Sequence, residues 1–321
     1  MRKLLLGTTA LAAAATLSAN ALADVSISGA YEWRYQSISS NITAVDGTSF
    51  VTDSEIAFKF SNKTDSGLTI GLVTEMLSDG GDAGIDESSL SISGGFGKIV
   101  LGQNDGVGDN YGVSSTDLPA EEIYATGNSD SITIHGADIN GQSADTTKVA
   151  YHLPAMGGLT AGVSYLDSGA TGAADSTEVG AKYSMEAGGA SITIGGATLT
   201  TENATQDIDS QVVGIKIASG NITAALSQAT YEASGADEES NGAAVSFKVS
   251  DAMTVTLHTA ETEDSTNNEE YSNSGAEISY TIASGLSAHL NVEDYDYKVG
   301  TSSGNTADAG TASKLTIKAS F

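Results

Sequence analysis

The sequence has no cysteine, only two prolines, and 13 lysine and arginine residues against 41 aspartate and glutamate residues. Without cysteine there is neither a disulfide framework nor a thiolate metal site. The net charge of −28 argues against nucleic acid as a partner, because phosphate binding requires clustered basic side chains. The 37 glycines without matching proline do not resemble a disordered linker, and the low proline content suits strands.

Long apolar runs are also missing beyond the N-terminal region, so the sequence predicts no transmembrane helix. In that region two basic residues precede the apolar stretch Leu4 to Leu17, and Ala21-Leu22-Ala23 fits the pattern cleaved by signal peptidase. We therefore expect residues 1–23 to be removed as a signal peptide and residues 24–321 to form one exported domain. The alternative, an uncleaved membrane anchor, requires a longer apolar core.

The chain does contain an alternation of apolar and polar residues that recurs from end to end. In its first segment Val25 and Ile27 alternate with Ser26 and Ser28, which gives an extended strand one apolar and one polar face. Sixteen such segments can be counted. Seven short connections join them in pairs: Asn62–Gly67, Gly94–Gly97, Ala155–Gly158, Glu186–Gly189, Ser219–Asn221, Ser250–Ala252 and Ser284–Gly285.

The remaining connections are predicted to be longer and acidic, for example Gln36–Val51, Asp167–Thr177, Ala233–Asn241 and Glu261–Glu270. Short turns at one end and long loops at the other are typical of membrane barrels. A soluble sandwich needs large side chains between its sheets, yet only 6% of the residues are aromatic. The sequence therefore predicts an all-β fold, a closed antiparallel transmembrane β-barrel of sixteen strands.

Basic residues lie between outward apolar neighbours, so they are predicted to point into the lumen. Five of them precede a short turn or the chain end and should form a collar near one mouth: Lys59, Lys182, Lys216, Lys248 and Lys318. Arg34, Lys148 and Lys314 have the same inward parity, that is, they occupy the polar positions of the alternation, but they should lie further from that mouth. The alternative is that these are ordinary hydrated strand charges.

The segment from Asp105 to Asp145 lacks sustained alternation and is rich in acids. Loops this long are usually functional or disordered, and we expect this third long loop to fold into the lumen. Its candidate constriction acids are Asp105, Asp109, Asp117, Glu121, Glu122 and Asp130. Facing Arg34, Lys59, Lys314 and Lys318 across the pore, they would create a transverse field. The alternative is a mobile outer loop.

The stretch from Phe58 to Gly102, with Phe60-Ser61-Asn62-Lys63-Thr64-Asp65-Ser66-Gly67-Leu68 and Gly94-Gly95-Phe96-Gly97-Lys98-Ile99, resembles the general porins of alphaproteobacterial outer membranes. The final Phe321 is similar to the terminal aromatic that the barrel-assembly machinery recognises. The resemblance implies a homotrimer in the Gram-negative outer membrane, in contact with lipid and lipopolysaccharide. It also implies an inward third loop whose acids face basic wall residues.

The resemblance and the acidic composition together favour a water-filled channel for passive diffusion of small hydrophilic solutes and ions, with a preference for cations. We expect no enzyme activity and no cofactor, although porin loop acids can bind calcium, which leaves a loop-bound calcium ion open. Two other readings remain. One is a secreted or surface acidic β-protein such as an adhesin or glycan-binding module, and the other is a barrel enzyme with a Ser/His/Asp set.

Overall fold

The computed structural model describes residues 24–42, 46–78, 84–119, 146–167, 174–202, 207–300 and 306–321. These residues form sixteen strands, one α-helix and one 3₁₀ turn. The strands are Asp24–Ser40 (β1), Gly47–Lys63 (β2), Thr69–Leu77 (β3), Gly84–Gly94 (β4), Gly97–Gln103 (β5), Thr147–His152 (β6), Leu159–Leu166 (β7), Asp175–Ala187 (β8), Ala190–Glu202 (β9), Ile208–Ser219 (β10), Ile222–Ala233 (β11), Ala236–Lys248 (β12), Met253–Asp264 (β13), Glu269–Ala283 (β14), Leu286–Lys298 (β15) and Asp308–Ser320 (β16). The helix α1 spans Val107–Tyr111, and the 3₁₀ turn spans Ser115–Asp117.

The strands form one closed antiparallel barrel in which every strand pairs with its neighbours in sequence and β1 pairs with β16. The closing register runs from Ala30 opposite Ser320 to Ser40 opposite Gly310. Closure removes the sheet edges, so strand backbone groups are paired within the sheet, as a bilayer requires. The predicted sixteen-stranded barrel is confirmed.

The apolar positions of the alternation lie on the outside. Ile27, Leu226 and Leu257 are 56%, 58% and 54% exposed, whereas Ser227 and Thr256 beside them are buried. On the concave side of a closed sheet, side chains converge and cover one another. The buried polar residues of the alternation therefore face the lumen. The exposed apolar parity therefore faces lipid. No helix among the described residues is long and apolar enough to cross a bilayer.

All seven short connections occur where the alternation predicts them. The turn between β8 and β9 consists of Gly188 and Gly189, whose φ values of +59° and +82° suit a two-residue hairpin. A side chain at either position would be strained by the positive φ.

The outer connections are shorter than predicted. Only residues 234–235 separate β11 from β12, and residues 265–268 separate β13 from β14. The predicted loop Gln36–Val51 likewise shrinks, since β1 continues to Ser40 and β2 begins at Gly47. Pairing continues above the apolar band because backbone hydrogen bonds do not need an apolar face. The sequence signal disappears there because water lies on both sides of the sheet.

Candidate functional site: the inner wall and the loop segment bound to it

A row of glycines on the inner wall receives the segment after β5. The glycines lie on β7 to β10: Gly162, Gly180, Gly195 and Gly214. A Cβ at Gly162 would lie 2.7 Å from Cε2 of Tyr111, and a Cβ at Gly214 would overlap the carbonyl oxygen of Val113. The wall needs glycine here because the loop backbone lies directly against the strands.

Glu178 on β8 anchors the start of α1. Its Oε2 accepts hydrogen bonds from the Gly108 amide at 3.0 Å and from Ser164 Oγ at 3.2 Å. Ser164 Oγ in turn accepts from the Val107 amide at 3.2 Å. Glu178 is only 1% exposed. The buried carboxylate and the serine bonded to it thus each accept from one of the two amides that begin the helix and have no partner within it.

The 3₁₀ turn is fixed further around the wall. Ser114 Oγ accepts from the Thr116 amide at 3.1 Å, and Asp117 Oδ2 accepts from the Ser114 amide at 3.3 Å, which forms a capping box. The Ser115 amide donates to Ser227 Oγ on β11 at 2.8 Å. These bonds extend the attachment of the segment from β7 to β11.

The described beginning of the long loop, residues 104–119, therefore lies against the inner wall. Within it Asp105 and Asp109 are exposed. The other predicted acids, Glu121, Glu122 and Asp130, lie outside the described residues. The inward fold of the whole loop consequently stays a prediction.

Three of the predicted wall lysines contact this segment. Lys182 Nζ donates to the carbonyl oxygen of Asn110 at 2.9 Å, and Lys216 Nζ lies 3.9 Å from Asp117 Oδ2. Lys148, which is 3% exposed, donates to the carbonyl oxygen of Asn104. These three lysines bind residues 104–119 to the wall. The alternation predicted their inward direction but not these contacts.

Arg34 and Lys318 lie on the side of the barrel away from that segment, on β1 and β16. Both form ion pairs with Glu32, which is 8% exposed. Arg34 Nη2 also lies 3.0 Å from Asp53 Oδ2 on β2. The basic side chains predicted here are present with the inward parity, and they are held by wall acids.

The last three predicted basic residues share the inward parity. Lys59 Nζ lies 3.7 Å from Glu75 Oε1 on β3, and Lys248 Nζ lies 2.9 Å from Asp251 Oδ1 in the adjoining turn. The Lys248 ammonium lowers the pKa of the exposed Asp251 carboxyl by a hydrogen bond and by its charge. Lys314 is 7% exposed. A loop that faces these residues across the lumen stays a prediction.

The sequence reading did not single out Glu32 and Glu178, the two acids that organise these contacts. Alternation assigns every inward polar position to the lumen alike, so it does not distinguish a buried anchor from a hydrated wall residue. The only signal in the sequence was an acid at an inward position within a strand.

Acids gather on the inner face at the outer end of β12 to β14. Glu238 stands opposite Asp264, which stands opposite Glu269. Asp264 and Glu269 are 3% and 6% exposed. Burial, and then the charges of Asp264 and Glu269, raise the pKa of Glu238 to about 7.

The structure also brings a serine, a histidine and a carboxylate together, which the sequence reading could not do. Ser287 Oγ lies 2.8 Å from His289 Nε2, and His289 Nδ1 lies 3.0 Å from Ser279 Oγ, which donates to Glu277. The backbone around Ser287 is paired with β14 and β16. These strand amides are therefore engaged in the sheet and do not form an oxyanion hole.

Across the described ranges no group of three His, Asp or Glu residues is arranged to hold a metal ion. The expectation of a barrel without a cofactor, with loop-bound calcium open, stays a prediction.

Comparison with known proteins agrees with this architecture. A family model described as Gram-negative porin matches residues 7–300. OmpT of Vibrio cholerae in its trimer form matches with a TM-score of 0.71 and 14% identity, over 93% of this chain and 99% of that one. The anion-selective porin from Comamonas acidovorans matches with a TM-score of 0.66 and 19% identity, over 94% and 100%.

A mutant of the porin from Rh. blastica matches with a TM-score of 0.69 and 15% identity, over 92% of this chain and 100% of that one. No curated protein sequence matches the chain. The structural similarity to these proteins shows the shared fold, and the match of the family model to residues 7–300 shows the family. The chain belongs to the Gram-negative porin family and is an outer-membrane channel protein.

Proposed function

We propose that the barrel is a water-filled channel for passive diffusion of small hydrophilic solutes and ions, and that it prefers cations. The observation that supports this most directly is the distribution of charge along the inner wall. The acids Glu238, Asp264 and Glu269 lie at the outer end. The lysines of the predicted collar lie near the short turns at the other end.

The basic collar attracts anions weakly because its charges are matched. Lys318 shares Glu32 with Arg34, Lys59 has Glu75, and Lys216 has Asp117. Pairing cancels much of the field of each lysine beyond a Debye length of ~8 Å at physiological salt. Asp264 and Glu269 stand opposite each other at the outer end, so their fields add and concentrate cations at the entrance.

The selectivity of a channel depends on the charges that line it, which a shared fold does not determine. The Comamonas acidovorans porin of similar fold is anion-selective, and at 19% identity the wall charges are free to differ. The charges of this chain are therefore a better guide than its fold.

Reversal potentials across planar bilayers in a KCl gradient test the proposal. We expect a potential of the sign that potassium permeation produces, and a smaller potential for Glu269→Gln. Glu186→Gln, at an exposed inward position near a short turn, is the matched control and should change the potential less. A potential of the anion-selective sign would overturn the cation preference, and a lack of single-channel steps would overturn the channel itself.

We further propose that three copies assemble through β16, β1, β2 and β3. Over the described lengths of these strands, no outward position holds a charged residue. An exposed aromatic group lies among them, since Phe50, 71% exposed, packs on Trp33 and Tyr35 with ring centroids 5.4 Å apart in each pair. Like-charged copies approach one another most easily at an uncharged face.

In contrast, each strand from β8 to β15 has at least one outward acid near its outer end: Asp175, Glu202, Asp209, Glu232, Asp237, Glu239, Glu261, Glu263, Glu270, Asp294 and Asp296. Phe50→Glu should therefore convert trimers to monomers on unboiled gels and in light scattering. Thr177→Glu on β8 is the control that should remain trimeric. A trimeric Phe50→Glu variant would contradict this placement.

The remaining partners are proposed on the same basis. The outward apolar face contacts membrane lipid, and the outer end of the barrel meets lipopolysaccharide. Phe321 is 84% exposed, and its amide donates to the Gly29 carbonyl oxygen at 2.9 Å beside the closing strand. We propose that the assembly machinery reads this ring. Deletion of Phe321 should lower the amount of folded protein in the outer membrane far more than it lowers expression.

A further inference from the structure

Two strands carry an acid and a lysine at opposite ends of the same inward face. On β12, Glu238 lies near the outer end and Lys248 is the last residue before a short turn. On β16, Asp308 is the first residue and Lys318 lies near the other end. The two residues of each pair are ten positions apart, and an even separation places them on the same face of a strand.

The acids continue across the outer ends of the neighbouring strands. Glu238 stands opposite Asp264, and Asp264 stands opposite Glu269. Asp264, Glu269 and Asp308 are 3%, 6% and 3% exposed, and salt screens buried charges less than exposed ones. The electrostatic potential at the outer mouth is therefore negative.

The lysines continue around the short-turn end of the barrel. Those with inward parity at this end are Lys59, Lys63, Lys98, Lys182, Lys216 and Lys248. The inward acids Asp24 and Glu186 lie at this end too. Lys63, Lys98 and Lys182 form no ion pair within the described ranges, so positive charge reaches the lumen here.

The two groups of charges are separated along the axis of the pore. Ten residues of strand extend ~33 Å, or ~25 Å along the membrane normal at a tilt of ~40°. The potential in the lumen therefore rises over this distance, from the outer mouth to the short turns. A positive group is stabilised toward the outer mouth, and a negative group toward the short turns.

We propose that, among solutes of zero net charge, the channel favours linear zwitterions, which carry an ammonium group at one end and a carboxylate at the other. The proposal rests on the channel function proposed above and names a class of solute for it. Such a molecule aligns its ammonium toward the outer acids and its carboxylate toward the lysines, so both charges lie at favourable potential. A simple anion is repelled at the outer mouth, and a simple cation is stabilised only there.

The separation of the two charges on the solute decides how much it gains from this potential. In an α-amino acid both charges lie at one end of the molecule, so they experience nearly the same potential. In an ω-amino acid or a short peptide the charges lie at opposite ends and experience different potentials. Two isomers that differ only in this separation therefore distinguish the axial field from size and composition.

Swelling of liposomes that contain the intact protein tests the proposal, with ε-aminocaproate and its isomer norleucine as probes. Both have the same linear carbon chain, but norleucine carries both charges at one end. We expect ε-aminocaproate to enter ~2-fold faster at ~0.01 M salt, where wall charges act over ~30 Å. At ~1 M salt the Debye length is ~3 Å, and the two isomers should enter at equal rates.

Charge variants locate the field, at pH 8, where Glu238 with its pKa of about 7 is mostly charged. Glu238→Gln/Glu269→Gln removes two outer acids, and Lys63→Gln/Lys98→Gln removes two lysines at the other end. Each double variant should reduce the excess of ε-aminocaproate over norleucine. Glu261→Gln/Glu263→Gln, which removes two outward acids of β13, is the matched control and should preserve it.

Three results would overturn the proposal. Equal entry of the isomers at low salt would show that the axial potential does not act on the solute. An excess that persists at ~1 M salt would assign the preference to shape, because screening removes the field. An equal reduction in the outward control would place the field outside the lumen.

The salt comparison uses the unsubstituted protein, so it decides even if a variant does not fold. Arabinose, an uncharged sugar, separates this proposal from the channel function. If arabinose enters while the isomers enter equally, the channel stands and only the preference for linear zwitterions fails. If neither arabinose nor the isomers enter, the channel function itself fails.

Discussion

At Gly214 the wall and the loop segment approach so closely that no side chain fits between them. A methyl group there would overlap the Val113 carbonyl oxygen, whereas a methyl group at Gly95 would meet no atom within 4 Å. Gly214→Ala should therefore displace the segment and lower the free energy of unfolding by ~1–3 kcal/mol, the usual range for overpacking. Gly95→Ala is the matched control and should be nearly neutral.

Displacement of the loop segment in Gly214→Ala should also change the conductance of the channel. Single-channel conductance in planar bilayers should rise in Gly214→Ala if the segment leaves the wall and its remainder leaves the lumen. Unchanged conductance and unchanged melting of the Gly214→Ala barrel would show that the segment does not depend on this close contact.

The side chain of Glu32 neutralises two basic groups, so its removal should change selectivity more than that of an ordinary wall acid. Glu32→Gln leaves Arg34 and Lys318 without this shared carboxylate and should lower the preference for cations. Lys318→Gln should raise it, because Glu32 then has one cation fewer. Reversal potentials in a KCl gradient measure both changes, and shifts of the same sign in the two variants would contradict the shared pair.

Glu178 provides a comparable test of stability. Glu178→Ala leaves the buried Gly108 amide without its acceptor, at a cost of ~1–3 kcal/mol. Glu186→Ala, exposed on the same face of β8, should cost little. The temperature at which the folded band disappears on gels compares the two variants, and equal temperatures would exclude the anchoring role.

At the scale of single residues, the sequence predicted which face of the sheet a side chain occupies but not which residues it contacts. Parity correctly placed Lys182 and Lys216 on the inner wall, because a strand has only two faces. It could not show that they contact residues 104–119, since that contact depends on where a distant segment folds. Glu178 was missed for the same reason.

Among the elements, the outer ends of the strands differ most from expectation. The polar stretch Ala233–Asn241 reads as a loop, yet β12 begins at Ala236. Asp264 helps to hold the neighbouring turn, since its Oδ1 accepts from the Thr266 amide at 2.8 Å and its Oδ2 from Asn267 Nδ2 at 2.7 Å. Backbone pairing and such side-chain caps give no alternating pattern, so sequence alone could not place these ends.

The pairing at this end should depend on pH through Glu238. Its pKa in the folded barrel, about 7, exceeds that of a free glutamate, because burial and two neighbouring acids disfavour the charged form. The stabilising contribution is therefore complete below the unfolded pKa and is lost as the pH rises toward 7 and beyond. Hydrogen exchange at the outer ends of β12 and β13, corrected for intrinsic rates, should be faster at pH 8 than at pH 5.

Glu238→Gln should remove most of that difference, because an amide does not titrate. Glu239→Gln, the adjacent outward residue, should preserve it. If the Glu238→Gln protein retains the full pH difference, other groups at the outer end are responsible.

For the whole molecule, charge varies in two directions: along the pore and around the outside. The variation along the pore predicts an asymmetric channel. At one mouth cations meet acids that stand opposite one another, and at the other they meet lysines that are paired with acids. Current through channels inserted in one orientation should differ in size between equal voltages of opposite sign, more so at low salt, where screening is weak. Symmetric currents at low salt would show that the two mouths have equivalent fields.

The architecture was the most predictable property of the whole chain. Sixteen strands and seven short turns followed from the alternation and from glycine-rich turn residues, because closure in a bilayer permits few other solutions. The division of the outer surface into uncharged and acidic sides was not predicted. It appears only when the register shows which acids share a face.

The two-residue turn at 234–235 affects how the protein is recognised at the cell surface. At this point an antibody or a bacteriophage meets the rim of a hydrogen-bonded sheet instead of a pliable loop. A binding partner must therefore match a fixed shape at this point. Substitution of rim side chains such as Glu232 and Asp237, which stand opposite each other, is then the way in which the bacterium avoids recognition. A peptide tag inserted at this turn would be displayed at the end of a rigid support.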